Sequence, residues 1–371
     1  MKITCEQSDL MKGISIVSKA VPGRTPMDIL YCILIDATGD HIKLMANDME
    51  IGIETIIEGT IIEKGNVAID AGFFQNQVRT LSDAEVTIET DPNNQVRISC
   101  EKFHVNYPGK NGDDFALIPA ITRNEPVIIS QFTLRELIRQ TIFSVSDNEN
   151  NKVLTGELFE IKDNKLRVVS LDTLRISIRR VNLKSEYEDK RVIVPGKSLN
   201  EISKIITGSI DDEVRIFITD NHIIFEFDQT VVVSRLIAGE YLRFEHMFSN
   251  DYVTKIMVNK NAMLKCIDRT IPAGKEGEKK PIILNITDNI MKIGIAAAGN
   301  TDEELEIKKE GKDMRIGFNP KFFQDAFRVI DEEEVAVYFL DPKAPCYIKD
   351  ENGTYNYIIL PIDLNNISYL S

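Results

Sequence analysis

The residues able to do chemistry lie along this chain at spacings that suit none of the common catalytic or metal-binding constellations. Cys5, Cys32, Cys100, Cys266 and Cys346 are far apart and never form a CxxC pair. In a chain of 371 residues that argues against a zinc site and against a disulfide framework, so they read as buried free thiols. His41, His104, His222 and His246 show no HxH or HExxH spacing, and none is assigned to a metal. GxSxG, a GxGxxG after a strand and GxxxxGK[ST] are all missing; the nearest phosphate-loop mimic, AGKEGEKK at 273–280, lacks the spacing and the hydroxyl residue that should follow. Asp113 with Asp114, or the run Asp331 to Glu334, resembles a general acid and base in residue type only. The run falls where a helix hands over to a strand, and solvated turn charge is the simpler account. No catalytic residue, metal ligand or cofactor is expected.

What the sequence does arrange is positive charge. The chain nets −14, which taken alone argues against a nucleic-acid partner. Yet the six helical windows 8–19, 72–82, 133–145, 196–207, 260–272 and 319–330 hold 12 Lys or Arg against 5 Asp or Glu, so they net +7 while the remainder nets −21. At about 100° per residue, Phe74, Val78 and Leu81 make one apolar stripe and Arg79 points about 140° away from it. Lys204 and Arg328 occupy the same place in two later helices. Lys197 and Lys321 are likewise equivalent, as are Lys12 and Lys265, where the third member is Glu136 with Arg139 one turn on. A solvated helix face normally carries such residues, but six basic helices in an acidic chain point to a shared polyanion-facing surface.

These matches follow from a repeat of 124 to 125 residues that must position them. VAIDAGFFQNQVRTLSDAEVTIE from Val67, VIVPGKSLNEISKII from Val192 and IGFNPKFFQDAFRVIDEEEVAVYF from Ile316 share one plan, in which Val67, Val192 and Ile316 head a strand and Phe74, Leu199 and Phe323 anchor a helix. LMKGI from Leu10, LRELI from Leu134 and MLKCI from Met263 form a second series. A period this long is a repeated domain. The expectation is an α+β chain of three similar domains, 1–124, 125–253 and 254–371, each with two helices and many antiparallel strands. No apolar run approaches the ~20 residues of a membrane span, and MKITCEQSDLMKG has no signal-peptide core, so a cytoplasmic protein is expected.

Lys and Arg read phosphates without base specificity, no helix looks built for the major groove, and no aromatic and basic residues interleave for stacking single strands. Sequence-independent contact with duplex DNA is the reading that remains. A three-domain enzyme with a cleft between repeats and a scaffold that never touches DNA are the alternatives.

Six stretches in order, LMANDMEIGIE from Leu44, GDDFALIP from Gly112, VLTGELFE from Val153, VIVPGK from Val192, IGFNPKFF from Ile316 and YIILPIDL from Tyr357, resemble the bacterial DNA polymerase III beta-subunit sliding clamps over the whole chain. The resemblance implies three clamp domains in tandem, closed as a head-to-tail homodimeric ring with helices inside and sheets outside. Such a ring encircles double-stranded DNA and tethers the replicative polymerase, the clamp loader and repair proteins through short clamp-binding peptides. It implies a DNA-facing Arg24, and it fits the cations already read from the helix register, Lys12, Arg79, Arg139, Lys197, Lys204, Lys265, Lys321 and Arg328, as DNA-facing. It implies a peptide cleft from Leu154, Leu171, Arg175, Ile176, Leu242, His246, Met247, Asn319 and Phe322, with Ile358, Ile359, Leu360, Pro361 and Ile362. It implies a dimer interface at Phe103, Val105 and Ile271. The chain departs from the pattern at LDTLRI (171–176), where TDGHRL is usual, at Leu242 and Asp28, where Pro is usual, and in the added tail NNISYLS.

Overall fold

The computed structural model describes all residues except 124, 271–280, 296–300 and 365–371, and at 301–302 it describes the backbone alone. Ile271, the stretch AGKEGEKK at 273–280 and the C-terminal NNISYLS therefore lie outside the described residues.

The first repeat contains β1 (Lys2–Glu6), α1 (Gln7–Val17), β2 (Cys32–Asp36), β3 (Ile42–Asn47), β4 (Ile51–Ile57), β5 (Thr60–Glu63), β6 (Asn66–Asp70), α2 (Ala71–Arg79), β7 (Glu85–Thr90), β8 (Gln95–Cys100) and β9 (Phe103–Pro108). The second contains β10 (Val127–Ser130), α3 (Gln131–Arg139), β11 (Gly156–Lys162), β12 (Lys165–Leu171), β13 (Arg175–Asn182), β14 (Lys190–Pro195), α4 (Gly196–Ile205), β15 (Glu213–Ile218), β16 (His222–Phe227) and β17 (Thr230–Arg235). The third contains β18 (Thr254–Asn259), α5 (Lys260–Thr270), β19 (Ile282–Thr287), β20 (Ile290–Ile295), β21 (Thr301–Glu306), β22 (Lys308–Gly311), β23 (Met314–Phe318), α6 (Pro320–Val329), β24 (Glu334–Phe339), β25 (Cys346–Lys349) and β26 (Tyr355–Ile359). Each repeat thus runs strand, helix, strands, helix, three strands. Each strand pair is antiparallel.

The chain divides into two compact units, Met1–Arg135 with Lys197–Leu236, and Glu136–Gly196 with Ile237–Ser371. In the first unit the sheets run β5-β1-β7-β8-β9 and β10-β15-β16-β17-β4-β3-β2-β6; in the second, β14-β11-β12-β13-β26-β25-β24-β18-β22 and β21-β20-β19-β23. Two of the four sheets therefore join neighbouring repeats. β4 pairs with β17, placing Ile53 opposite Val232, and β13 pairs with β26, placing Ser177 opposite Tyr357.

Local sequence explains the elements. Strand residues alternate between inside and outside, as in β8, where Val96, Ile98 and Cys100 are buried and Gln95 and Arg97 exposed. The β11–β12 turn places Asp163 and Asn164 at φ 50° and 57°, the left-handed pair a tight hairpin of this hand needs. Helix α1 buries Leu10, Gly13, Ile14 and Val17, a 3-1-3 spacing on one face. Gly13 permits close approach there, because a Cβ would sit 2.5 Å from Ile57 Cγ2 and 2.8 Å from Leu44 Cδ1. Helix α2 starts on Asp70, whose carboxylate accepts from Phe73 N at 2.8 Å, and ends at Arg79; Leu81, expected in its apolar stripe, lies beyond the helix and is half-buried. Helix α6 starts on Asn319 with Pro320 in its first turn and buries Phe322, Phe323, Ala326 and Phe327. All five cysteines are free and buried.

One core residue goes against its surroundings. Glu157 on β11 is wholly buried, and neither carboxylate oxygen has a hydrogen-bond partner. Burial pushes its pKa from 4.5 up to about 8; Thr141 opposes this, but its hydroxyl proton already goes to Leu137 O at 2.7 Å. The folded protein keeps this proton up to about pH 8, whereas the unfolded chain loses it near 4.5. Stability is therefore full below pH 4.5 and falls by about 1.4 kcal/mol per pH unit as pH rises towards 8. Urea titrations at pH 5, 6.5 and 8 are expected to show Glu157→Gln losing this part of the slope. An unchanged slope would assign it to other groups.

Candidate nucleic-acid interface and peptide cleft

Most cations expected to face DNA sit on helices, and helix physics already explains part of their placement. Arg79, Arg139, Lys204 and Arg328 each stand in the last turn of α2, α3, α4 and α6, where the helix dipole favours positive charge. Their side of the helix is set by the buried one: in α2, Phe74 and Val78 point inward and Arg79 outward. Lys12, Arg24, Arg79, Lys197, Lys204, Lys265, Lys321 and Arg328 are exposed, and Arg139 is half-buried. Arg24 lies outside any helix, in a stretch held by Tyr31, whose hydroxyl accepts from Thr25 N at 2.9 Å. Asp28, in the place where Pro is usual, opens the 3-10 turn Asp28–Tyr31, and its carbonyl accepts from Lys110 Nζ at 2.9 Å.

Several of these cations are held by carboxylates that the sequence reading did not pair with them. Lys197 donates to Asp48 at 2.6 Å, Lys204 to Glu201 at 2.6 Å, and Arg328 lies 3.6 Å from Asp268. Arg139 binds Glu136 and, at 3.0 Å, Asp331. The Glu136 hydrogen bond is the main reason the Arg139 pKa is raised, with Asp331 adding to it. Burial works against the Lys197 charge, but Asp48, then Glu50 and Glu201, outweigh it and raise its pKa. A pair with both partners exposed, such as Arg328 with Asp268, contributes about 0.2–1 kcal/mol, so it sets geometry more than stability. The Glu201–Lys204 pair was legible as a three-residue helical spacing. Asp48 and Asp331 were not, since they meet their partners only through the fold.

The expected cleft residues lie in the second unit, on two faces of its nine-stranded sheet. Leu154, Leu171, Ile176 and Ile358 form one apolar cluster with Tyr241, Phe244 and Tyr347, against which Met247 and Leu360 pack. Met247 is placed by its carbonyl, which accepts from the Tyr347 hydroxyl at 3.0 Å. Strand alternation sends Ile359 the other way, into the core with Phe322 and Phe323. Of these expected lining residues, Leu154, Leu171, Ile176, Ile358 and Ile359 are all core residues, between 0% and 5% exposed. Phe322, also buried, lies under Arg175, whose guanidinium is 4.4 Å from its ring centroid. Arg175 also donates to Asp172 at 2.9 Å and Asp325 at 2.7 Å. It is therefore a buried strut between β13 and α6, and removing one partner of so buried an ion pair typically costs about 3–5 kcal/mol. Asn319 uses its side chain to accept from Lys321 N at the start of α6. Leu242 and His246 are exposed, Pro361 and Ile362 half-buried, and Ile362 N donates to Gly317 O at 2.8 Å. Leu174, which sequence reading did not single out, is 47% exposed and stands where the usual pattern has His.

The third expected site lies on β9, the edge of its sheet, where Phe103 is 43% exposed and Val105 half-buried. Phe103 lines a pocket of about 400 Å³ together with Thr80, Leu81 and Cys100. Among the described residues no group of His, Cys, Asp or Glu is placed to hold a metal ion, and no helix is long and apolar enough to cross a membrane.

Comparison with known proteins agrees along the whole chain. Family models of the DNA polymerase III beta subunit match its N-terminal domain at residues 1–119, its central domain at 128–242 and its C-terminal domain at 245–363. The beta sliding clamp of Staphylococcus epidermidis is 31% identical, covering 98% of this chain and 99% of that one; the Staphylococcus aureus clamp is 30% identical with the same coverage. A crystal structure assigned as a DNA polymerase III beta subunit of Eubacterium rectale is 60% identical with a TM-score of 0.94, covering 98% of this chain and all of that one. The Bacillus subtilis DNA polymerase sliding clamp is 30% identical with a TM-score of 0.94, covering 98% and 99%. With three tandem clamp domains of antiparallel sheets and paired helices, the chain belongs to the bacterial DNA polymerase III beta subunits, the sliding clamps that give DNA replication its processivity.

Proposed function

We propose that two copies close head to tail into a non-catalytic ring around duplex DNA, acting in the bacterial cytoplasm and docking the replicative polymerase, clamp loader and repair proteins by short peptides. The observation that carries this reading is the pattern of sheet joins. The third strand after the first helix of a repeat (β4, β13) pairs with the third strand after the second helix of the next (β17, β26). The same rule leaves β21 and β9 as partners for one another, and each is a sheet edge among the described residues. Joining them yields the order β5-β1-β7-β8-β9-β21-β20-β19-β23, matching the strand order of the nine-stranded sheet within the second unit. Charge favours this pairing over like with like, because β21 carries Asp302, Glu303, Glu304 and Glu306, while β9 carries His104 and follows Lys102. A contact between different surfaces closes into a ring only if its rotation closes, and in this proposal two copies complete the turn. Phe103 and Val105 on β9 would lie at that seam, as Ile271 would by resemblance.

The exposed helix cations support phosphate contact without base readout. Half-buried Met247 and Leu360, packed on the buried cluster of Leu154, Leu171, Ile176 and Ile358 and beside exposed Leu174, Leu242 and His246, support capture of a short peptide with apolar side chains. The domain limits 1–124, 125–253 and 254–371 place the seams between repeats.

A protein that encircles DNA stays on a closed circle and leaves by a free end. Loaded onto nicked circular DNA and passed over a sizing column at moderate salt, the protein is expected to co-elute with the DNA and to be lost once a restriction enzyme linearises it. Equal retention on both forms would contradict encirclement. For the cleft, Met247→Asp is expected to weaken binding of a fluorescent clamp-binding peptide at least tenfold while retention on circles persists; undiminished peptide affinity would move the docking site elsewhere.

A further inference from the structure

The cations assigned to DNA contact differ in how they are held, and the difference follows the repeats. In the first repeat Lys12, Arg24 and Arg79 are exposed and have no ion pair among the described residues. In the second, all three are tied: Arg139 to Glu136 and Asp331, Lys197 to Asp48, Lys204 to Glu201. In the third, Arg328 is held by Asp268, while Lys265 and Lys321 stand unpaired among the described residues. Resting on the DNA-contact reading above, we propose that the first repeat, with all three cations unpaired among the described residues, and then the third, with two, supply the grip on the phosphate backbone, and that Asp48, Glu136 and Glu201 are positioning residues that hold the second repeat's cations off DNA and lower the friction of sliding.

The repeat register shows why the three equivalent cations differ. Three residues before Arg79 stands Asn76, which is neutral; three before Lys204 stands Glu201, within reach on the same helix face; three before Arg328 stands Asp325, already bound to Arg175 at 2.7 Å. Arg328 therefore reaches to Asp268 on α5, at the longer distance of 3.6 Å. The carboxylates do not all swing freely. Asp48 is 5% exposed at its side chain, and Oδ1 accepts from Glu50 N at 2.9 Å and Ile51 N at 2.7 Å, leaving Oδ2 aimed at Lys197. A phosphate approaching a tied cation meets a fixed negative charge within a few ångströms, and a cation already neutralised displaces fewer counterions from DNA. The helix dipole accounts for the cations at the ends of α2, α4 and α6 equally, so it does not explain the difference among them.

Anisotropy of a fluorescent duplex of arbitrary sequence, titrated with full-length protein across a range of salt, separates the cases. Each phosphate contact removed should flatten the plot of log affinity against log salt by about 0.9. Arg79→Ala and Arg24→Ala are expected to flatten it by that amount or more, Lys204→Ala by less than half as much, and Glu201→Gln to steepen it and tighten binding several-fold at low salt. Thermal unfolding of each variant reports the helix-terminal role separately. The proposal is overturned if Lys204→Ala matches Arg79→Ala, or if Glu201→Gln leaves the slope unchanged. Wild-type protein without salt-sensitive affinity would overturn the DNA-contact reading itself.

Discussion

Backbone N–H and C=O groups at the edge of a β-sheet need partners, and this requirement organises the clamp. Within the chain, repeats meet by pairing the third strand after the first helix of one with the third strand after the second helix of the next, β4 with β17 and β13 with β26. Each join satisfies two edges at once and continues one sheet across two repeats, which is why the compact units, each holding whole sheets, do not follow the repeat boundaries. Three repeats make two such joins and leave half of a third on β9 and half on β21. An unpaired edge invites uncontrolled association. The run of carboxylates on β21 discourages pairing with itself and leaves the carboxylate-free edge of β9 as the better match.

Charge is organised by the same repeat. Each helix must bury one face against a sheet, so the opposite face is where charge is cheap, and the last turn is where positive charge is favoured. An acidic chain can in this way present a regular set of cations without becoming basic overall. The carboxylates beside the second repeat's cations show that regular placement is not equal availability. Holding a polyanion weakly suits a protein that must move along it. The expected cleft region has a different logic: strand alternation divides β26 between two buried apolar clusters, with Ile358 on one face of the sheet and Ile359 on the helix side, while Arg175 binds the helix-side core to α6 through Asp325 and the Phe322 ring.

Much of this was legible in the sequence because it is periodic. The 124-residue register gave the three repeats, their six helices and the outward face of each. Local spacing also made the Glu201–Lys204 pair available, three residues apart on one helix, although the sequence reading did not pair them. Other features depend on contacts between residues distant in sequence. Asp48 meets Lys197, and Asp331 meets Arg139, only after the sheets form. Ile359 was assigned to the cleft by likeness to a run of residues, although period two along a strand sends alternate residues to opposite faces. The end of α2 at Arg79 left Leu81 outside the stripe. Glu157 carried no warning in its local pattern, since a single carboxyl in a strand reads as an exposed position until its surroundings are known.

The central claim is that the two unpaired edges close on a second copy. Sedimentation equilibrium of the full chain at micromolar concentration tests it most directly. Closure predicts one species at twice the 42.0 kDa chain mass, converted to the chain mass by a charged residue in place of Phe103 at the seam. A wild-type protein that stays at 42.0 kDa across the whole concentration range would contradict it.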